Sequence, residues 1–327
     1  LKIVGEQPAG MDRHLAINSG EAVRIFTGAP LPDGADAVVM QEDVELAGGE
    51  IILQESVAVG EFVRVRGGDV AAGQQVVEKG ERITPQKIAL LAAQGFRTIE
   101  VGSDVRVSVI STGDELSAPE RELEAGQIYE SNSILIEALS RKSGAKVESV
   151  THCADRADEI EAAVRAAASC DVLIITGGVS VGARDFVKAA ITAAGGTLDF
   201  WRVRVKPGKP FLFGRVGTCA VFGLPGNPVS AFVTFLLFVR PAILKLRGAG
   251  AEELRLPSQS ARLAVDVANE SDRPHYLRGM LRDGSFRPIG RQESHALFGL
   301  SRSDALLLVR PGQALAAADL ATVFTWE

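Results

Sequence analysis

Two glycine-rich turns in this chain have the make-up of anion sites. In Asp171-Val-Leu-Ile-Ile-Thr-Gly-Gly-Val-Ser-Val-Gly-Ala-Arg-Asp185 an apolar run, Val172 to Ile175, breaks into a glycine turn whose charged end leads into a helical pattern. Glycines let backbone N–H groups approach a phosphate, and a helix N-terminus favours negative charge there. Phe222-Gly-Leu-Pro-Gly-Asn-Pro-Val-Ser230 repeats the arrangement between an apolar strand and a long apolar helix. Gly223 and Gly226 suggest close backbone approach by a ligand, whereas Asn227 and Pro228 are explained by helix initiation alone, as N-cap and first helical residue. Together the two turns point to a phosphorylated or oxyanionic small molecule.

Acids and cations accompany them. Ser111-Thr-Gly-Asp-Glu115 and Asp155 each follow a strand-like run, and Asp185 closes the first glycine turn. Any one of these acids could merely cap the next helix; their convergence at one sheet edge is what suits a hard cation and phosphate chemistry. In Trp201-Arg-Val-Arg-Val-Lys-Pro-Gly-Lys209 the period of two would put Arg202, Arg204 and Lys206 on one strand face, suited to a multiply charged anion. The alternative is a solvated edge strand guarded by lysine. Lys209, flanked by Pro207 and Pro210, favours the functional reading. Adjacent Ser294-His295 is a poor catalytic dyad, since catalytic partners meet through the fold; Ser294 fits better as a neutral oxyanion donor.

The elements that must hold these residues follow from patterning. Residues 1–65 alternate short β-type runs with turns and read as a small β-domain. Residues 66–103 form a connecting segment, the remainder of an elongated N-terminal domain, with a helix capped by Thr84, begun at Pro85 and ended at Gly95. From 104 to 248 strands and helices alternate, including a strand over 197–205, a short strand over 220–222 and one long helix over 228–246. That predicts a mostly parallel sheet with helices on both faces and ligands at the carboxyl ends of its strands. Residues 252–327 return to short strands, a C-terminal β-barrel-like domain.

At 327 residues the chain exceeds one ordinary core. A net charge of -6 argues against general nucleic-acid binding. No apolar run is expected to reach membrane-spanning length; the best candidate, 232–239, reads as a buried helix segment. Cys153, Cys170 and Cys219, scattered and odd in number, fit reduced thiols in a cytoplasm. The four histidines never fall at zinc-ligand spacing.

In order along the chain, Ser111-Thr-Gly-Asp-Glu-Leu116, Thr176-Gly-Gly-Val-Ser-Val-Gly-Ala-Arg-Asp185, Val205-Lys-Pro-Gly-Lys-Pro210 and Gly223-Leu-Pro-Gly-Asn-Pro-Val-Ser230 closely resemble the molybdopterin molybdenumtransferase family. Arg24 to Asp36 and Gln292-Glu-Ser-His295 extend the resemblance to both ends. It implies a three-layer αβα molybdopterin-binding domain flanked by two small β-rich domains. The implied activity is the last step of molybdenum cofactor synthesis: adenylylated molybdopterin and molybdate are taken, AMP is cleaved off with Mg²⁺, and molybdenum enters the dithiolene. By matching motifs, Glu115, Asp155 and Asp185 would be the catalytic acids around Mg²⁺. Thr176, Gly177, Gly178, Ser180, Gly182, Pro225, Gly226 and Asn227 would bind the pterin nucleotide. Lys206, Lys209, Ser294 and Arg278 would hold molybdate. The resemblance further implies a cytoplasmic homodimer, with molybdopterin adenylyltransferase as a possible partner, no nucleic acid and no membrane.

Two departures are expected to matter. The family's N-terminal Asp-x-Ser-Ala-Met-Asp-Gly-Tyr-Ala segment does not precede Leu1, and Gly299 stands where many members carry Ser. The alternatives are molybdopterin adenylyltransferase, which shares the α/β domain but has no flanking β-domains, and a non-catalytic scaffold similar to the gephyrin E-domain.

Overall fold

Short β-favouring runs separated by Gly and Asn turns build the first part of the chain. In the computed structural model, which describes residues 1–179 and 186–326, these runs are β1 (Lys2–Gln7), β2 (Glu21–Ile25), β3 (Val44–Ala47) and β4 (Glu50–Leu53). They form one sheet in the order β2-β1-β4-β3, with β1 and β2 parallel. Gly48 and Gly49, at φ 61° and 90°, close the β3–β4 hairpin in the conformation a two-residue turn needs. This sheet lies in the first of two compact units, Leu1–Val76 and Val77–Glu327.

The second unit opens with α1 (Pro85–Ala93), initiated as its sequence requires: Thr84 accepts from the Lys87 N–H at 3.4 Å and Pro85 takes the first position. There follow β5 (Arg106–Thr112), β6 (Leu116–Ser117), β7 (Ile128–Tyr129), α2 (Asn132–Lys142), β8 (Lys146–Cys153), α3 (Ala157–Ala167), β9 (Val172–Thr176), α4 (Phe186–Ala193), β10 (Thr197–Trp201), β11 (Leu212–Val216), β12 (Cys219–Leu224), α5 (Pro228–Thr234), α6 (Arg240–Leu246) and α7 (Ala251–Leu254). Six strands make one sheet in the order β10-β11-β12-β9-β5-β8.

Period-two alternation divides this sheet's core in two. Val172 and Ile174 of β9 pack with Ile136, Phe232 and Phe235 from α2, α5 and the turn after it. Leu173 and Ile175 pack with Ile160, Val164, Val187 and Ile191 from α3 and α4. Helices therefore cover both faces, which is the αβα layering expected, and β9 reads as an unbroken apolar run because both its faces are buried.

The chain then forms β13 (Ser258–Leu263), β14 (Val267–Ala268), β15 (His275–Arg282), β16 (Ser285–Pro288), α8 (Leu297–Ser301), β17 (Ala305–Val309), β18 (Ala314–Leu315) and β19 (Leu320–Thr325). Strands β13-β16-β15-β17-β19 close into a barrel around Leu263, Leu277, Phe286, Leu307 and Val323.

Several sequence expectations are corrected. The strand expected over 197–205 stops at Trp201, because Arg202 adopts φ 76° and turns the chain. Arg202, Arg204 and Lys206 therefore share no strand face. Arg202 lies 4.0 Å from the Trp201 ring centroid, and Arg204 donates to the Asp272 carbonyl at 2.6 Å. The sheet carries an antiparallel edge, β10-β11-β12, in which β11 was not foreseen and β12 runs well beyond 220–222.

The helical run Pro228–Leu246 contains a π turn at Phe235–Val239. With a mean hydropathy of 1.8 over 18 residues it is long and apolar enough to cross a membrane, contrary to expectation. Yet Val229, Phe232, Val233, Phe235, Leu236, Val239 and Ile243 are all buried against the sheet, the placement of a core helix.

Candidate active-site cleft

The carboxyl ends of β5, β9 and β12 meet the barrel loop 291–295 around a cleft of about 810 Å³. Glycine geometry shapes its floor. Gly177 and Gly178, at φ 90° and 63°, turn the chain sharply after β9. A Cβ on Gly177 would overlap the Thr112 carbonyl oxygen, and one on Gly178 would lie 2.8 Å from the Thr112 hydroxyl and from Val187. Gly226 lies so close that its Cβ would meet the Gly177 Cα at 3.7 Å, so the two glycine turns are direct neighbours. Asn132, at the start of α2, ties them together: its Nδ2 donates to Thr176 Oγ1 at 3.1 Å and to the Gly226 carbonyl at 2.6 Å.

Acidic groups form part of the lining. Gly113, at φ 152°, lets the chain fold so that the Glu115 carboxylate lies 2.7 and 2.8 Å from where a Cβ would be. Glu115 is exposed, and the next helix begins only at Asn132, so it caps nothing. The Asp155 N–H donates to Asp114 Oδ1 at 3.0 Å, which brings the β8 end beside the β5 end. Both Glu115 and Asp155 line the cleft. Among the described residues no three His, Cys, Asp or Glu side chains are grouped to hold a metal ion. Asp185, like Ser180 and Gly182, lies outside the described residues.

Cations line the cleft as well. Lys206 and Lys209 line the cleft, on a loop fastened to β15: the Lys206 N–H donates to the Pro274 carbonyl at 2.9 Å and the Tyr276 N–H to the Lys206 carbonyl at 2.8 Å. Arg273, which sequence reasoning missed, joins this lining and donates to the Val205 carbonyl at 3.2 Å. Its only sequence signal is a basic residue before Pro274, too common to single out.

Ser294 reaches the cleft by a device the sequence misassigned. Asn227 occupies the N-cap position of α5 without a side-chain cap bond; its Nδ2 donates instead to Ser294 Oγ at 2.9 Å. The Val229 N–H bonds the Ser294 carbonyl at 3.0 Å, completing the attachment of this loop to α5.

Arg278, expected to touch molybdate, is corrected. It is 1 % exposed, does not line the cleft, and its guanidinium clamps the carbonyls of Arg291 and Glu293. It thereby fixes the loop that presents Ser294. Gly299 likewise faces this clamp rather than the cleft, since its Cβ would meet Arg278 Nε at 3.4 Å.

His275 is buried behind Lys206, and burial, followed by the charges of Lys206, Arg273 and Arg278, pushes its pKa down to about 4. A neutral His275 contributes stability that is complete above its ordinary value of 6.5 and is lost as pH falls through about 4. The urea midpoint should therefore fall across that window, and His275→Gln should flatten the fall. Equal slopes in both proteins would assign the acid sensitivity to another group.

Known proteins share this architecture along the whole chain. Residues 108–245 match a family model described as "Probable molybdopterin binding domain", residues 2–95 one described as "MoeA N-terminal region (domain I and II)", and residues 260–326 one described as "MoeA C-terminal region (domain IV)". A molybdopterin molybdenumtransferase of Haemophilus influenzae is 37% identical over 316 residues, covering 94% of this chain and 78% of the relative. Molybdopterin molybdenumtransferase 2 of Mycobacterium tuberculosis is 36% identical over 315 residues, covering 94% and 77%. A crystal structure of a molybdopterin biosynthesis moeA protein from Pyrococcus horikoshii OT3 superimposes with a TM-score of 0.84 at 29% identity, covering 100% of this chain and 81% of that one. The chain belongs to the molybdopterin molybdenumtransferase family.

Proposed function

We propose that this cleft inserts molybdenum from molybdate into adenylylated molybdopterin and releases AMP. One observation carries the reading: a single cleft joins two abutting glycine turns, the acids Glu115 and Asp155 and a lysine-bearing loop. The glycine turns hold the phosphate groups through backbone N–H donors, with Thr176, Pro225 and Asn227 bordering the same site. Lys206, Lys209, Arg273 and Ser294 offer molybdate three cations and a hydroxyl, suited to a tetrahedral dianion. Arg278 acts behind them, holding the loop.

The donor set at the acidic edge fits Mg²⁺, because carboxylate oxygens of Glu115 and Asp155 are the hard ligands that ion prefers. By the family motif the reading also assigns Asp185 as an acid and Ser180 and Gly182 as phosphate contacts, all three outside the described residues. A Mg²⁺ ion held there by Glu115 and Asp155 would supply charge neutralisation at the pyrophosphate. The chain's own groups do the positioning, with phosphate held on the glycine turns while the lysine loop keeps the oxyanion near the dithiolene.

The reading includes a cytoplasmic homodimer that receives adenylylated molybdopterin from molybdopterin adenylyltransferase. It also includes four parts, 1–65, 66–103, 104–248 and 252–327, with neither nucleic acid nor membrane as partner.

The test is a molybdate titration at fixed adenylylated molybdopterin, with AMP release as the signal. Lys209→Ala should raise the half-saturating molybdate concentration about ten- to a hundredfold, the worth of one charge-assisted contact. An unchanged midpoint would remove the lysine loop from the molybdate site.

A further inference from the structure

Among the described residues, two buried polar atoms on the lining of the cleft have no hydrogen-bond partner: Thr112 Oγ1 and Asn132 Oδ1. Native folds rarely leave such atoms unpaired, and an exception next to a binding site is an opening for a ligand. Thr112 is the sharper case. It is the last residue of β5, only 3 % exposed, and its hydroxyl lies beside the turn that glycine keeps open: Cβ atoms at Gly177 and Gly178 would stand 3.0 and 2.8 Å from it. Its neighbour in this floor is already engaged, since the Thr176 hydroxyl accepts from Asn132 and donates to the Pro225 carbonyl at 3.3 Å. Among the described residues Thr112 thus keeps a free donor beside the Gly177–Gly178 turn.

We propose that the Thr112 hydroxyl is a substrate contact, donating to a phosphate oxygen of the adenylylated pterin held in the Gly177–Gly178 turn. The inference rests on the functional reading above and adds to it a residue outside the acids, lysines and glycine turns. A hydroxyl suits the position because it adds a donor without adding charge next to the carboxylates of Glu115 and Asp155. It also carries a stability signature opposite to that of a structural threonine. An unpaired buried hydroxyl costs desolvation free energy, so replacing it by a methyl of the same shape relieves the fold, whereas a hydroxyl that holds the turn together would be missed.

The experiment compares wild type, Thr112→Val and Thr112→Ser in the full chain. Binding of adenylylated molybdopterin is measured anaerobically by calorimetry without divalent cations, and thermal midpoints are measured without ligand. Thr112→Val should keep or raise the midpoint while weakening binding about ten- to a hundredfold, the range for a hydrogen bond to a charged group. Thr112→Ser, which keeps the donor, should bind within about threefold of wild type. Val and wild type binding alike would overturn the contact while leaving the functional reading in place. A lower midpoint for Val with unchanged affinity would make Thr112 a structural residue. If Val fails to fold, Thr112→Ser losing affinity as a folded protein would overturn the proposal, and keeping it would support it. A wild-type chain that does not bind adenylylated molybdopterin would overturn the functional reading itself, and this contact with it.

Discussion

Gly177→Ala should abolish AMP release and lower thermal stability. The backbone at φ 90° costs a non-glycine residue about 1–3 kcal/mol in strain, and the new Cβ would also overlap the Thr112 carbonyl. That carbonyl belongs to β5, a strand held on both sides by β8 and β9, so the turn must yield rather than the strand. Displacing the turn by about 1 Å misplaces a reacting group enough to cost on the order of a hundredfold in rate. Circular dichroism melts and AMP release by chromatography read both effects. An alanine variant with wild-type turnover would mean that this turn does not hold the reacting phosphate. As a control, Gly217→Ala tests a positive φ, 58°, with no atom within 4 Å of the new Cβ, and should lose some stability without losing activity.

Glu115→Gln should reduce AMP release by at least about a hundredfold, the scale of losing one preorganised electrostatic contact. It should leave stability within about 0.5 kcal/mol, as for a surface substitution away from any cap, core or strained site. That separation of effects follows from the geometry. Glu115 is exposed on the cleft lining, precedes no helix, and folds back over Gly113 without capping a backbone group. Glu130 supplies the contrast: it too lines the cleft, but its carboxylate accepts from the Ser133 N–H at 2.8 Å at the start of α2, as a helix-initiating acid does. Glu130→Gln should lower stability more than turnover. A Glu115→Gln variant with full activity at low Mg²⁺ would remove Glu115 from the metal site, and equal stability losses for both variants would contradict the distinction between them.

The sequence by itself determined the layered core and the glycine turns. Val172 to Ile175 is apolar without alternation, the pattern of a strand covered on both faces, and the glycines that follow mark its end at the edge where such sheets bind ligands. Thr84-Pro85 and Gly95 fixed the ends of α1 because capping is a local interaction, decided within a few residues. The ordered motifs were enough to indicate the family.

Tertiary structure decided what depends on partners distant in the chain. Arg202, Arg204 and Lys206 looked like one cationic face, yet the turn at Arg202 and the stitching of Lys206 to Pro274 and Tyr276 leave only Lys206 in the cleft. Asn227 carried the pattern of an N-cap, but Ser294, 67 residues away, takes its amide. Arg278 and Arg273 are alike in sequence and opposite in place. One is sealed on β15 by the 291–293 loop whose carbonyls it bonds, and the other, which precedes the strand, opens on the cleft. Strand period and capping act over a few residues, so a sequence displays them directly. Which cation meets solvent and which carbonyl it bonds is set by packing between the sheet domain and the barrel, and only the folded chain brings those surfaces together.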